Sequence, residues 1–227
     1  MLKPEDFFDL DETEHRVIFE NVDYVWQALA AIPTYLQFRL KPKILGRLVG
    51  RPFISDSVFI GKGTIVEHGA MIKGPAWIGE DCEIRNGCYI RENVILGNGV
   101  VAGNSCEFKN CLLFNEAQVP HYNYVGDSIL GHRAHLGAGV ICSNVKLDKT
   151  SVVISAGEKT WDTGLKKFGA IVGDRAEVGC ATVLSPGSLI GPGAILYPGS
   201  QWRGILPARH IAKVRQSFSI VERHKES

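Results

Sequence analysis

The chain has 227 residues, a formal net charge of +1 and 45% apolar residues. That balance gives no global field for nucleic acid or an anionic membrane, and no apolar run approaches the ~20 residues of a bilayer span. The N-terminus, MLKPEDFFDLDE, has no signal-peptide core, so one cytoplasmic domain with a sizeable core is expected.

Residues 1–52 stand outside any repeat. Val22, Val25, Trp26, Leu29 and Ile32 recur at helical steps, with Asn21 as an N-cap. Pro33 is expected to start a second helical piece that ends before Pro42. A repeat stack exposes an apolar end, so this segment is expected to be a helical cap over that end.

From Ile54 the pattern changes. Ile54, Ile60, Val66, Ile72, Ile78, Ile84, Ile90, Leu96, Ala102 and Phe108 follow one another at six-residue steps, often with glycine next. Such a period marks an all-β, parallel β-helix: each hexapeptide makes one flat side and three sides close a coil. Residues eighteen apart then stack at about 4.8 Å. Cys82, Cys88 and Cys106 share the repeat's small-residue position, which favours reduced core thiols over disulfides or metal ligands. The β-helix is expected over residues 53–205. Its frame is expected to slip around Pro120–His121 and to resume at Tyr124, Leu130, Leu136 and Cys142. Residues 143–167 have no hexapeptide pattern and are expected to protrude as a loop or hairpin; residues 206–227 form a tail.

The period exposes one candidate site. Lys73, Arg91 and Lys109 are eighteen apart at an outward position and should form a vertical column of cations. Stacked charges repel, so the column is either paired to Glu67, Glu92 or Glu107 or built for a phosphate. His121 lies at the expected slip, between Pro120 and Tyr122–Tyr124, and imidazole suits a base working near neutrality. Asn144 opens the irregular loop; its amide could donate to an oxyanion or hold a hydroxyl, although alone it reads as a turn residue.

Hexapeptide chains of this kind resemble the left-handed parallel β-helix acyltransferases, and the handedness comes from that resemblance. The stretch HYNYVGDSILGHRAHLGAGVICSN resembles, more specifically, the acetyltransferase domain of the bifunctional glucosamine-1-phosphate N-acetyltransferase/UDP-N-acetylglucosamine pyrophosphorylase. The shared motifs are H-x-x-Y-x-G-D, then G-A-G, then C-x-N. KKFGAIVGDRAEVGCATVLSPGSLIGPGA is similar to archaeal sugar-1-phosphate versions. The resemblance covers roughly residues 54–205. It implies His121 as base, Tyr124 and Asn144 at the sugar, Arg91 and Lys109 at its phosphate, and Ala138 and Cys180 along an acetyl-CoA cleft. A homotrimer with sites between neighbouring prisms is implied as well. Four departures accompany it. No Gly-rich nucleotide loop is present, so neither uridylyl transfer nor magnesium dependence is expected. His135 replaces a sugar-side asparagine, Thr150 stands where a lysine is expected near Lys146 and Lys149, and Arg203 and Arg209 are loose candidates for a CoA-binding arginine.

These features give a leading expectation: acetyl transfer from acetyl-CoA to the amine of a hexosamine 1-phosphate, glucosamine before galactosamine, with no metal. Two other classes compete. One is a non-catalytic sugar-nucleotide-binding or regulatory subunit beside a separate pyrophosphorylase. The other is a metal-dependent enzyme like the γ-class carbonic anhydrases, which requires two histidines five apart; here His132 and His135 are three apart.

Overall fold

In the computed structural model, which describes residues 2–215 and 217–222, the hexapeptides stack as the period requires. Each coil contributes one strand to each of three parallel sheets. Sheet A has nine strands, from Lys43–Ile44 to Ile205–Leu206. Sheet B has nine, from Arg47–Leu48 to Ile211–Ala212, and sheet C has eight, from Phe53–Ile54 to Gln201–Trp202. Val58 pairs with Ala76 and Ala76 with Val94, the eighteen-residue register read from the sequence. Ile60, Ile78 and Leu96, Val66, Ile84 and Ala102, and Ile72, Ile90 and Phe108 line the interior at 0% exposure. The inner ladders therefore bury one another, and each backbone is satisfied by the next coil.

All six cysteines are free; five are buried and Cys180 is exposed. Burial pushes the Cys82 thiol up to about 11 and the Cys142 thiol to about 12, so both remain inert neutral thiols.

The coils begin at Lys43 and continue through Ala212, extending past both ends of the expected 53–205 range. Part of the expected tail is thus coil, and its residues 216 and 223–227 lie outside the described residues.

The N-terminal segment is not an end cap. It lies along the flank of sheet A, because that sheet carries a second apolar column on its outer surface: Phe59, Trp77, Ile95, Leu112, Ile129, Ile171, Leu189 and Ile205. Ile95, Leu112, Ile129, Ile171 and Leu189 are fully buried under Phe8, Phe19, Trp26 and their neighbours. Phe8 and Phe19 close on Phe114 with centroids at 4.8 and 5.7 Å, and Trp26 meets Phe168 at 6.3 Å. Asp174 fastens the arm, its Oδ2 accepting from the Asp9 N–H at 2.6 Å while its own N–H donates to Phe7 O at 3.0 Å. Among the described residues a single α-helix, α1, spans Ala28–Arg39 with Pro33 inside it. The preceding 3-10 turn Val25–Gln27 is capped by Gln27, whose Oε1 accepts from the N–H groups of Asp23 and Tyr24. Asn21 instead sits in a left-handed turn at φ 63°.

The frame slips also differ from expectation. Ala102 pairs with Val119, Phe108 with Val125 and Leu113 with Leu130, all seventeen apart. One residue is missing at each of two successive corners between sheets C and A, after Lys109 and after Gly126. Val125, at 0% exposure, is therefore the inward residue and Tyr124 points out. The residues expected to protrude make an antiparallel hairpin, Val153–Ala156 with Lys159–Asp162. It folds back onto sheet A, burying Val152 and Ile154 in the same cluster as the N-terminal arm.

Candidate active site

Sheet C stays open, and the cation column stands on it as the spacing predicts. Lys73 and Arg91 share a register, as do Arg91 and Lys109. Each cation already has a partner within the chain. Lys73 Nζ lies 5.3 Å from the centre of the Tyr89 ring. Arg91 reaches Glu107 at 2.9 Å and Glu92 at 3.5 Å, and Lys109 Nζ lies 3.7 Å from Asp127 Oδ1. The hydrogen bond that Arg91 donates to Glu107 is the main reason its guanidinium is held even more firmly charged than usual. One coil on, Gly126 occupies the column, paired with Lys109.

That glycine leaves room for a pair of polar side chains. A Cβ at 126 would lie 2.4 Å from the Tyr124 hydroxyl and 2.9 Å from Asn144 Nδ2. Asn144 Nδ2 donates to the Tyr124 hydroxyl at 3.2 Å and to Asp127 Oδ2. Both amide hydrogens are thereby engaged within the chain. Burial, followed by the nearby Asp127 carboxylate, pushes the Tyr124 phenol up, which keeps it a hydrogen-bond donor at neutral pH.

A second column runs along the corner between sheets B and C. Asn104 pairs with His121. The continuing registers of sheet B carry that position to Ala138 and then Cys180. Backbone bonds confirm the stack: the Gly139 N–H donates to His121 O at 2.9 Å, and the Ala181 N–H to Ala138 O at 2.8 Å. The His121 side chain is exposed, and its ring makes no hydrogen bond among the described residues. The Ala138 N–H likewise has no partner there, leaving a donor one coil from the imidazole. Asn123 braces this corner. Buried at 3% exposure, it accepts from the His121 N–H at 3.0 Å and donates to Gly137 O at 2.7 Å. The irregularity at Pro120–His121 is therefore a polar brace at a small-residue position, not a frame slip.

His135 does not join the Tyr124–Asn144 pair. It lies on sheet B with Nδ1 2.8 Å from Glu177 Oε2, in an apolar groove of about 260 Å³ that also includes Gly137, Cys180, Ile195, Tyr197 and Pro198. His132 is buried elsewhere, its Nδ1 3.0 Å from Asn115 O. Among the described residues no three His, Cys, Asp or Glu side chains converge as metal ligands. Lys146 is tied into its own loop by Thr150 at 2.6 Å and Asp148 at 3.4 Å. Arg203 lines a separate groove with Lys146 and the hairpin, and Arg209 occupies a left-handed corner at φ 59°.

Two residues escaped the sequence reading. Asn123 was signalled by an amide at a position that other coils give to Cys88, Cys106 and Val140. Asp127, left-handed at φ 48° and 4% exposed, was signalled as the last residue of the H-x-x-Y-x-G-D motif, which gives it no role of its own.

Known proteins share this pattern. The family model of the GMPPB C-terminal domain matches residues 72–158. A bifunctional protein GlmU of Methanococcus maripaludis is 42% identical over 173 residues, covering 76% of this chain and 42% of that protein. Another from the same species is 34% identical over 182 residues, covering 80% and 44%. A bifunctional sugar-1-phosphate nucleotidylyltransferase/acetyltransferase of Sulfurisphaera tokodaii is 31% identical over 96 residues, covering 42% and 24%. The chain thus spans less than half the length of these relatives. Among solved structures, the polySia-specific acetyltransferase NeuO overlays with a TM-score of 0.40 at 14% identity, over 73% of this chain and 79% of that one, too loosely to assign a site. By its hexapeptide ladders the chain is a left-handed parallel β-helix, and over most of its length it is similar to the acetyltransferase part of the bifunctional sugar-1-phosphate enzymes.

Proposed function

We propose that the chain moves an acetyl group from acetyl-CoA to the amine of a hexosamine 1-phosphate, with glucosamine 1-phosphate the first candidate and galactosamine 1-phosphate the second. One observation carries this reading. The Arg91–Lys109 column ends under the Tyr124–Asn144 pair, and the adjoining corner holds an imidazole and, one coil on, an N–H that have no partner among the described residues.

In this reading the sugar phosphate displaces Glu107 from Arg91 and joins Asp127 on Lys109, and Tyr124 and Asn144 hold the ring. His121 removes the amine proton as nitrogen attacks the thioester carbonyl. A C–N bond forms, and the oxyanion is stabilised by the Ala138 N–H. Collapse breaks the C–S bond, and the imidazolium returns its proton to the departing thiolate. The thioester is already activated, so positioning and one base suffice. The apolar groove beside Ala138 and Cys180 suits the thioester arm of CoA. A homotrimer in the cytoplasm completes the proposal, since an open sheet wall needs a facing wall to exclude water.

A second reading, a sugar-nucleotide-binding unit without turnover, draws on the match to the GMPPB C-terminal domain and on the glutamates already seated on Arg91. A thiol-release assay with acetyl-CoA and either amino-sugar phosphate separates the two. Turnover in the wild type, reduced on the order of 10²- to 10⁴-fold in His121→Ala, is the expected result. Binding without thiol release selects the second reading, and undiminished turnover in the variant removes His121 from the mechanism.

A further inference from the structure

The geometry points to Asp127 as the positioning residue of this site: its buried carboxylate fixes the side-chain amide of Asn144 so that the carbonyl oxygen, and not the NH₂ group, faces the acceptor sugar. The role assigned to that oxygen rests on the proposed acetyl transfer; the orientation itself does not.

The argument begins with chemistry that allows one answer. An Asn amide has two ends that differ only in whether they donate or accept, and a neighbour of fixed polarity decides between them. A carboxylate beside an ammonium group is such a neighbour, since it can only accept. Asp127 lies 3.7 Å from Lys109 Nζ, its side chain 6% exposed. The end of Asn144 in contact with Asp127 Oδ2 must therefore be Nδ2. The second hydrogen of that amide goes to the Tyr124 hydroxyl at 3.2 Å. Tyr124, having accepted, keeps its own hydrogen free to donate. The Asn144 Oδ1 has no partner among the described residues and is not sealed from solvent.

The same carboxylate orients a second amide. Asn110 Nδ2 donates to Asp127 Oδ1 at 2.9 Å, although this leaves Asn110 Oδ1 buried without a donor. An orphaned acceptor is unfavourable, and its persistence shows which interaction governs the corner. The corner itself is one of the two shortened ones. The left-handed backbone of Asp127, φ 48°, and its N–H bond to Lys109 O at 2.9 Å bring the carboxylate beside both amides. The site therefore offers the acceptor an ordered pair, a phenolic donor and an amide acceptor. The acceptor suits an ammonium or hydroxyl hydrogen on the sugar.

Two measurements decide this. Neutron diffraction from deuterium-exchanged crystals reads the amide directly. Deuterons on the Asn144 atom facing Asp127 support the assignment, and oxygen there overturns it, whether or not the protein turns over. Kinetics provide the second arm. Asp127→Asn frees the amide to rotate, and kcat/KM for the amino-sugar phosphate should fall on the order of 10²-fold with KM for acetyl-CoA unchanged. The exchanged pair Asp127→Asn with Asn144→Asp restores one donor and one carboxylate and still presents an oxygen to the sugar. It should recover to within about 10-fold of wild type, an interval equal to one hydrogen bond to a charged group. A folded exchanged pair no more active than Asp127→Asn would mean that Asn144 serves as a donor, and would overturn the proposal. Absence of turnover in the wild type would reject the acetyl-transfer reading alone.

Discussion

Sheets A and C are built from the same hexapeptide, yet one is covered and the other open. On sheet A the outward positions are Trp77, Ile95, Leu112, Ile129 and Leu189, hidden beneath an aromatic arm and a hairpin. On sheet C the equivalent positions are Tyr89, Glu107 and Tyr124, flanked by the cation column. The inward ladders are alike, so stability of the prism does not require this difference. Apolar residues facing outward specify a partner within the chain, while charged and aromatic ones leave a wall free for small polar ligands. Stability and chemistry are thereby placed on separate faces of one prism.

Four experiments break or sharpen this contrast. The largest effect is expected from Trp26→Ala. Trp26 is 2% exposed and stacked on Tyr24 at 4.7 Å, and its loss should destabilise the protein by about 3–5 kcal/mol in denaturant unfolding. The temperature dependence of any remaining activity should follow unfolding and not a change in the site. A loss near zero would return the arm to the status of an optional cover.

Next in size is a pH effect confined to the covered face. His15 is fully buried, with Nδ1 2.8 Å from the Tyr35 hydroxyl and its ring edge-on to Trp77. Burial first, and then the charge of Arg39, lower its pKa from 6.5 to about 4. The folded state holds His15 neutral while the unfolded state protonates near 6.5. Its contribution is therefore complete above that pH and lost as pH falls towards 4. Between pH 7 and pH 4.5 the wild type should lose roughly 2–3 kcal/mol more than His15→Phe; identical slopes would refute the assignment.

Smaller effects belong to the open face. Arg91→Ala should weaken binding of the sugar phosphate by about 10- to 100-fold in calorimetric titration, with acetyl-CoA binding little changed. Equal losses for both ligands would remove the column from the phosphate. Gly126→Ala places a methyl against the Tyr124 hydroxyl and Asn144. It should raise KM for the sugar phosphate roughly 10-fold through displacement of that pair, whereas an unchanged KM would show that the pair is not part of the sugar site.

The prism and the cation column were legible because a strict period converts sequence distance into spatial distance. Lys73, Arg91 and Lys109 needed no more than that. The arm's docking site was not legible from the arm, since its apolar residues suit an end or a flank equally. It was legible from the coils, where every third hexapeptide carries three apolar residues in a row, as in Val58–Ile60, Ala76–Ile78 and Val94–Leu96. The shortened corners were hidden because Tyr124 and Val125 both tolerate a strand, and only pairing with Phe108 shows which turns inward. The direction of the Asn144 amide depends on Asp127, seventeen positions earlier in the shortened register, whereas the eighteen-residue period read from the sequence puts Gly126 there.

The hairpin segment has a narrow neck. The chain leaves sheet C at Asn144 and returns to sheet A at Phe168, whose N–H donates to Asn144 O at 2.9 Å, while the next residue, Gly169, bonds to Asp127 O at 2.8 Å. The two ends of the excursion are thus joined before it begins. A segment attached in this way has room for change at its exposed tip, Gly157 and Glu158, while Val152 and Ile154 stay packed on sheet A and the coil beneath closes through the same two bonds.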